Sequence, residues 1–345
     1  MSFRSYVLSL MKDERKGPTA LVVKGVLRVL SWFYAAGIRI VDWSYASGMR
    51  KTHKMDVPVI SVGNITLGGT GKTPMSIYLA EHFLSCARKP AVLTRGYGRD
   101  ECRMIKDELA DVPVIVGQDR VRSARRALRE GSDVLILDDG FQHRRVARDV
   151  NVLLLDGTSP FGNGCLFPRG ILREPVSSVR RADIFVITKA DRADEASLAK
   201  VRDRLESIAP GRRVILSRHK PTFLTDVTGS AYPVESLKGK KVCLASGIVD
   251  PDYFASLVEA AGAAVVLRFD HTDHYAYGQN DINRISAGCA EKDAEMIIVT
   301  KKDYVKIKKL DLSGIEDKLF ILNVVMDIVS GKEDLVSGLD SVLRG

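Results

Sequence analysis

The sequence predicts an α/β protein whose mostly parallel sheet is covered by helices on both faces. Apolar runs of strand length alternate with helical stretches from residue 57 to residue 216. These runs are continuously apolar, as is typical of parallel strands that are buried on both faces. At 345 residues the chain is long enough for a second, smaller lobe. We therefore expect a three-layer α/β/α sandwich, a smaller α/β lobe towards the C-terminus and an amphipathic helix near the N-terminus.

The elements of the sandwich are predicted from the apolar runs and from the helical stretches between them. Helices are expected over Arg120–Glu130 and Ala193–Ile208, and Pro210-Gly211 ends the second of these. The predicted strands are Val57–Val62, Ala91–Thr94, Val112–Val116, Val134–Leu137, Val152–Leu155, Ile184–Thr188 and Val214–Leu216.

A change of pattern near residue 220 predicts a domain boundary. The stretch from Arg218 to Tyr232 contains proline and glycine and is expected to be an extended connection. Strand–helix alternation resumes at Lys241. The predicted domains are an N-terminal helical segment over residues 1–55, a core over residues 56–220 and a smaller α/β lobe over residues 221–345.

Positive charge is concentrated at the N-terminus. Of the net charge of +9, residues 1–55 carry +7, from ten Lys and Arg against three Asp and Glu. Such basicity indicates an anionic partner, either phospholipid or nucleic acid. The interleaved aromatic and basic residues of a nucleic-acid platform are not seen, which argues against nucleic acid. The five cysteines form no CxxC pair, which argues against a disulfide framework and a zinc site and is typical of a reducing compartment.

The apolar stretch from Thr19 to Ser47 predicts a helix that lies in a membrane interface. On a helix its charged residues fall within a sector of about 60°, tryptophans border that sector, and apolar side chains cover the far side. The longest uncharged run, residues 29–38, is ten residues, about half of what a membrane span needs. Alternatively the helix packs on the protein's own core, and one face can do so while its margin contacts lipid. The charged residues are Lys24, Arg28, Arg39 and Asp42, the tryptophans are Trp32 and Trp43, and the apolar residues are Leu27, Leu30, Phe33, Tyr34 and Val41.

A glycine-rich turn follows the first predicted strand and opens a helix, which is the context of a phosphate-binding loop. The glycines let backbone N–H groups point at phosphate oxygens, and the helix N-terminus adds partial positive charge. Lys72 is expected to reach the β- and γ-phosphates, and the Thr73 hydroxyl to ligate Mg²⁺. Thr66 stands where this loop usually has glycine. The predicted nucleotide-binding residues are Thr66, Leu67, Gly68, Gly69, Thr70, Gly71, Lys72 and Thr73.

Two adjacent carboxylates follow the predicted strand Val134–Leu137. Ligands gather at the carboxyl ends of parallel strands, and an acid there can hold the Mg²⁺ that bridges nucleotide phosphates. We assign Asp138 to the metal and Asp139 to a position beside the reacting phosphate. The alternative is that an aspartate ends the strand and caps a turn with Gly140.

Together with further motifs along the chain, these residues make the sequence resemble the tetraacyldisaccharide 4'-kinase family of the lipid A pathway. The resemblance covers nearly the whole chain and keeps the family's order, and Thr66 is the residue that this family usually carries. The motifs are Gly63–Pro74, Arg95-Gly96-Tyr97, Asp138–His143, Asp156-Gly157, Phe161–Gly164, Pro168–Glu174, Asp273-His274 and Thr300–Asp303.

The resemblance implies a reaction, its cofactors and a place in the cell. The family transfers the γ-phosphoryl group of ATP to the 4'-hydroxyl of a lipid A disaccharide 1-phosphate and uses Mg²⁺. It works at the cytoplasmic face of the inner membrane, so we expect a peripheral protein that contacts anionic phospholipid. Neither nucleic acid nor an obligate protein partner is expected.

The resemblance also implies catalytic and substrate-binding residues. In the family, the Asp of a Gly-Asp-Glu-Pro motif pairs with the His of a later Asp-His to deprotonate the sugar hydroxyl, and this pair corresponds to Asp100 and His274. The family usually places that motif some two dozen residues after Arg-Gly-Tyr, whereas here Asp100 follows almost at once, so Asp107 is a rival. Lys72 and Asp139 complete the expected catalytic set. The residues expected to contact the substrate are Gln142, His143, Arg169 and Arg173.

Two other functions fit parts of the sequence. A P-loop GTPase or metallochaperone would use the Thr-Lys-x-Asp segments at 188–191 and 300–303, which resemble a guanine-reading motif, and it would prefer guanine nucleotides. A non-enzymatic membrane- or nucleic-acid-binding module with a vestigial loop would lose nothing on Lys72→Ala. We expect the kinase to turn over ATP only with its lipid acceptor.

Overall fold

The computed structural model describes residues 3–96 and 99–343, with the side chains of 3–5, 99–101 and 103 outside the description. The chain forms two compact units that interleave along the sequence, whereas the predicted domains were contiguous stretches. The first unit comprises residues 1–95, 112–218 and 328–345, and the second comprises residues 96–111 and 219–327.

The described chain alternates strands and helices. The strands are β1 (Val59–Asn64), β2 (Pro90–Thr94), β3 (Val114–Val116), β4 (Val134–Leu137), β5 (Val150–Asp156), β6 (Ile184–Thr188), β7 (Arg213–Asp226), β8 (Ala231–Pro233), β9 (Lys241–Ser246), β10 (Ala264–Asp270), β11 (Met296–Thr300) and β12 (Leu319–Ser330). The helices are α1 (Phe3–Met11), α2 (Pro18–Ala46), α3 (Lys72–Ser85), α4 (Arg99–Glu108), α5 (Arg120–Arg129), α6 (Glu195–Ile208), α7 (Pro251–Ala260), α8 (Gln279–Glu291), α9 (Lys301–Ile307) and α10 (Lys332–Asp340).

The first unit is built on parallel strands in the order β7-β6-β5-β1-β4-β2-β3. The strands β1, β2, β4 and β6 are buried along their whole length, which explains why they read as continuous apolar runs. Helix α6 buries Leu198, Val201 and Leu205 at helical spacing in one core cluster, and α5 buries Val121 and Ala124 in another. The predicted α/β class is confirmed.

The second unit contains parallel strands in the order β10-β9-β11-β12, with helices α7 and α8 contributing to separate core clusters. Where the sequence predicted an extended connection after residue 218, strand β7 continues to Asp226 and forms a hairpin with β8. The Asp226 carboxylate explains the turn, because it accepts hydrogen bonds from the backbone N–H groups of Thr228 and Ser230 at 2.9 Å each.

Helix α2 docks on the rest of the first unit through its polar side. The Ser31 hydroxyl is buried, donates to the Leu166 carbonyl over 2.8 Å and accepts from the Arg169 backbone N–H at 3.0 Å. Further along the helix, the Tyr34 hydroxyl donates to the Arg173 carbonyl over 3.0 Å. The helix therefore supports the loop of residues 165–174.

Two of the charged residues expected at lipid headgroups are instead held in ion pairs within the first unit. Lys24 Nζ lies 2.6 Å from Asp13 Oδ1, and Asp42 Oδ1 lies 2.7 Å from an Arg144 nitrogen. The charged sector of α2 is thus turned towards the protein at Lys24 and Asp42. Both partners, Asp13 and Arg144, lie on other segments of the chain, so the helical pattern alone did not reveal these ion pairs.

The opposite face of α2 is apolar and exposed. Trp32, Phe33 and Trp43 expose 65, 72 and 61 % of their surface, and Leu21 and Ile40 expose 73 and 64 %. By length and composition this 29-residue helix is able to cross a membrane, although a signal sequence near an N-terminus meets the same criterion. Three of its charged residues, Lys24, Arg28 and Asp42, contact other segments of the first unit, whereas Arg39 is exposed.

Candidate active site

The glycine-rich loop joins the central strand β1 to helix α3. Gly68 and Gly71 adopt φ values of 118° and 81°, in the left-handed region that favours glycine. Gly71 is the N-cap of α3, so the helix begins at Lys72 and directs its first backbone N–H groups into the loop. The loop has the local geometry that binds phosphate.

The acidic segment after β4 lies directly against this loop. Strands β1 and β4 are parallel neighbours, so their carboxyl ends meet at the same edge of the sheet. The backbone N–H of Gly140 donates to the Val62 carbonyl over 2.8 Å. A Cβ on Gly63 would lie 2.6 Å from the Phe141 Cβ, and one on Gly140 would lie 2.6 Å from the Ser61 hydroxyl. Both positions therefore require glycine.

Asn64 connects the parts of this site and received no role in the sequence analysis. Its side chain is fully buried, and its amide nitrogen donates to the Thr70 hydroxyl over 2.9 Å. Its side-chain oxygen accepts from Arg173 at 3.2 Å, and its backbone carbonyl accepts from the Gln142 amide at 2.8 Å. The signal that marks this residue is an asparagine at the carboxyl end of a mostly apolar strand.

The Asp139 carboxylate interacts with two positively charged side chains beside the loop. Arg173 donates to the Asp139 carboxylate over 2.8 and 3.3 Å, and Lys72 Nζ lies 3.8 Å from it. Burial raises the pKa of the Asp139 carboxyl, but the positive charges of Lys72 and Arg173 outweigh burial and hold that pKa below its usual value. The carboxylate is thus ionised at neutral pH, and it orients both cations where phosphate would lie.

Asp138 and Thr73 offer the oxygen ligands that Mg²⁺ prefers. Both residues are buried, at 5 and 9 % exposure, and the Ser76 hydroxyl donates to Asp138 Oδ1 over 3.0 Å. A carboxylate oriented in this way, on the strand next to a phosphate loop, suits a cation that keeps part of its water shell. The residues present therefore fit Mg²⁺.

Gln142 and His143 follow the acidic pair. Burial, and then the positive charge of Arg120 and Arg148, lowers the pKa of His143 to about 4, so its imidazole is neutral at physiological pH. Among the described residues, the Gln142 side-chain oxygen and the His143 Nε2 are buried without a hydrogen-bond partner. Each is a polar atom able to bind a substrate.

The segment 165–174 closes on the loop through its backbone. The Leu67 N–H donates to the Ile171 carbonyl, and the Arg173 N–H donates to the Ile65 carbonyl, both over 2.7 Å. This backbone pairing positions the Arg173 side chain within hydrogen-bond distance of Asp139. Arg169 points elsewhere: its guanidinium donates to Asp13 over 2.7 Å, so the structure places it at the N-terminal segment.

The residues expected to activate the acceptor lie in the second unit. His274 has a φ of 61°, and its Nε2 lies 3.5 Å from Asp273, which also accepts from Lys302 at 2.9 Å. Asp100 falls on α4, but its side chain is outside the described residues. The rival Asp107 is exposed on the same helix.

The Thr-Lys-x-Asp segments have structural roles. Asp303 is fully buried and accepts hydrogen bonds from the Thr300 hydroxyl at 2.6 Å and from the Gly247 N–H at 3.0 Å. In the other segment, Lys189 is 5 % exposed at its side chain and donates to Asp156 over 2.6 Å. Asp303 is therefore occupied within the fold rather than presented to a guanine base.

A phosphate loop on the central strand, a lysine that opens the next helix and paired acids on the neighbouring strand define a P-loop phosphotransferase. The model of the family described as tetraacyldisaccharide-1-P 4'-kinase (LpxK) matches residues 23–101 and 100–344. The chain belongs to this family. The two matched stretches meet at the place where the sequence analysis found the shortened segment before Asp100.

Relatives of similar length support the family assignment. The tetraacyldisaccharide 4'-kinases of Anaeromyxobacter sp. (strain K) and Halothermothrix orenii are 36 and 32 % identical, over 83 and 96 % of this chain and 82 and 96 % of their own. A solved structure, described as the "apo" form of LpxK from Aquifex aeolicus in complex with ATP, superposes with a TM-score of 0.71. It is 28 % identical and covers 93 % of this chain and 99 % of its own.

Proposed function

We propose that this protein transfers the γ-phosphoryl group of ATP to the 4'-hydroxyl of a tetraacyl lipid A disaccharide 1-phosphate. The observation that carries the proposal is the cluster of Lys72, Arg173 and Asp139 beside the glycine-rich loop. Phosphoryl transfer depends mainly on positioning and on neutralising charge on the phosphoryl oxygens. Two cations held at one carboxylate, next to backbone N–H groups, provide both.

Each residue of this cluster has a distinct part. Lys72 and Arg173 neutralise the phosphates, and Asp139 keeps both cations in place before the nucleotide binds. Asn64 fixes the curl of the loop through Thr70 and holds the Arg173 guanidinium. Mg²⁺, when bound through Asp138 and Thr73, supplies further positive charge to the phosphates.

The acceptor hydroxyl requires a base. We assign this task to Asp100 with His274, in line with the family motif, and keep Asp107 as the alternative to Asp100. A positioned base typically contributes about 10²–10⁴-fold to such a step. Gln142 and His143 are assigned to the substrate because each has a buried polar atom without a partner among the described residues. Arg169 stays in the substrate set on the motif alone, since its contact is with Asp13.

The exposed face of α2 supports attachment to the membrane that contains a lipid substrate. Aromatic side chains on this face suit the interface between headgroups and acyl chains. We assign the protein to the cytoplasmic face of the inner membrane, where it contacts anionic phospholipid. Because Lys24 and Asp42 are engaged within the protein, insertion of the apolar face is expected to contribute more than headgroup charge.

The test is transfer of label from γ-labelled ATP to a lipid A disaccharide 1-phosphate in the presence of Mg²⁺. Lys72→Ala should lower turnover about 10²–10³-fold, because it removes charge stabilisation of the transferring group. Lys200→Ala, on the exposed face of α6, is the matched control and should leave turnover unchanged. Labelled product from Lys72→Ala within about tenfold of the unaltered protein would contradict the proposed site. Acceptor-independent hydrolysis with a preference for GTP would contradict the reaction.

A further inference from the structure

Three potential metal ligands meet at the far end of the phosphate-loop helix. His82 and Cys86 stand four residues apart on α3, where they share one helix face. Asp340 reaches them from the end of α10. We propose that these three residues bind a divalent transition-metal ion of the Zn²⁺ class.

The geometry is close to what such an ion requires. His82 Nε2 lies 3.8 Å from Asp340 Oδ1 and 4.0 Å from Cys86 Sγ, and all three ligand atoms lie within 4.8 Å of one another. Zinc bonds of about 2.0–2.3 Å in a tetrahedral arrangement separate neighbouring ligand atoms by roughly 3.3–3.7 Å. Small side-chain rotations bring the three atoms to that spacing, with water as the fourth ligand.

The donor set selects the ion. Thiolate and imidazole favour Zn²⁺ and related transition metals, whereas Mg²⁺ prefers oxygen ligands alone. The Cys86 thiol is exposed, while the other four cysteines are buried. The site therefore has the one cysteine that a metal ion can reach from solvent, and it is distinct from the oxygen-rich Mg²⁺ site at Asp138 and Thr73.

The two helices are held together near this cluster by other contacts. Arg88, just after α3, donates to the Leu343 carbonyl, just after α10, over 3.2 Å. The same guanidinium lies 3.8 Å from Asp133. The metal site is thus preorganised by contacts that do not involve its ligands, which lowers the cost of binding.

The site lies too far from the phosphate loop to take part in catalysis, so a bound ion would act on the stability of the fold. His82 is nine residues after Thr73, or about 14 Å along α3 at the rise of an α-helix. An ion there would link α3 to α10 and stabilise the folded state without approaching the phosphates. The spacing of the cysteines did not predict this metal site, because Cys86 has no cysteine partner. Its proposed co-ligands are a histidine one helical turn before it and an aspartate 254 residues after it.

The experiment uses the reactivity of Cys86 in the full chain after treatment with a chelator. An aromatic disulfide reagent should modify one thiol rapidly, and added Zn²⁺ should slow that reaction at least about tenfold with a saturable, one-to-one dependence. Mg²⁺ at the same concentration should leave the rate unchanged. Zn²⁺ should also raise the midpoint of thermal unfolding, because it binds the native state.

Variants separate a three-ligand site from zinc binding to a single thiol. His82→Gln and Asp340→Asn each leave Cys86 in place and should raise the zinc concentration needed for protection at least about tenfold. His53→Gln, which changes a histidine outside the cluster, should retain protection. The proposal is overturned if zinc gives no protection in the unaltered protein, or if protection is equally strong in His82→Gln and Asp340→Asn.

Discussion

The exposed area of the aromatic residues on α2 allows the strength of membrane attachment to be predicted. Trp32 and Phe33 expose 65 and 72 % of their surface. Since a large aromatic side chain presents roughly 200 Å², the pair exposes about 270 Å². If half of that area enters the apolar part of the interface, burial at about 25 cal/mol per Å² contributes about 3 kcal/mol to the free energy of membrane binding. Trp32→Ala with Phe33→Ala should therefore weaken partition into vesicles about 100-fold.

The assay is sedimentation with vesicles that contain anionic phospholipid, at low and high salt. Because Lys24 is paired with Asp13, we expect binding of the unaltered protein to fall little as the screening length drops from about 10 Å to about 3 Å. Phe223→Ala is the matched control, since it removes an aromatic residue 40 % exposed in the second unit. Phosphorylation of a water-soluble, short-chain acceptor should be the same in all variants.

Two results would refute this reasoning. If the double variant and Phe223→Ala bind vesicles as well as the unaltered protein does, the apolar face of α2 does not insert. If binding of the unaltered protein disappears at high salt, attraction between basic side chains and lipid headgroups, rather than apolar insertion, holds the protein at the membrane.

Three further predictions concern the site. Asp100→Ala and His274→Ala should each lower kcat about 10²–10⁴-fold with no added effect in the double variant, and an inactive Asp107→Ala beside an active Asp100→Ala would reassign the base. In the folded state the pKa of His143 is lowered to about 4. The neutral imidazole is therefore compatible with full stability above its usual pKa of about 6.5, and stability is lost as the pH falls from about 6.5 to about 4. Linkage sets an upper limit of about 3 kcal/mol on this loss of unfolding free energy, and solvent screening of the partly exposed imidazole reduces it. His143→Gln should flatten the dependence of the unfolding free energy on pH between 6.5 and 4, measured by denaturant titration. Asn64→Ala removes the donor to the buried Thr70 hydroxyl and one acceptor of the Arg173 guanidinium. It should therefore lower the unfolding free energy by about 1–3 kcal/mol and raise the KM for ATP, and an unchanged KM would show that the loop keeps its conformation without Asn64.

The elements and the phosphate loop were predictable because their signals are local. A buried parallel strand is apolar along its length, and the loop before Lys72 carries its own glycines. What the sequence did not reveal depends on partners far along the chain. Asn64 is bonded to Arg173, and the docked side of α2 is decided by Asp13 and Arg144. A helical projection gives the two faces of a helix, but it does not say which face has a partner.

The hydrogen bonds of α2 also constrain how a water-soluble form of this protein is obtained. Deleting the helix would remove the apolar surface that causes adhesion, but it would also remove Ser31 and Tyr34 from beneath the segment that carries Arg173. The adhesive surface and the support of the active site are opposite sides of a single helix. Solubility is therefore best gained by replacing outward residues such as Phe33 and Trp43 with polar ones, while the inward side of the helix is left intact.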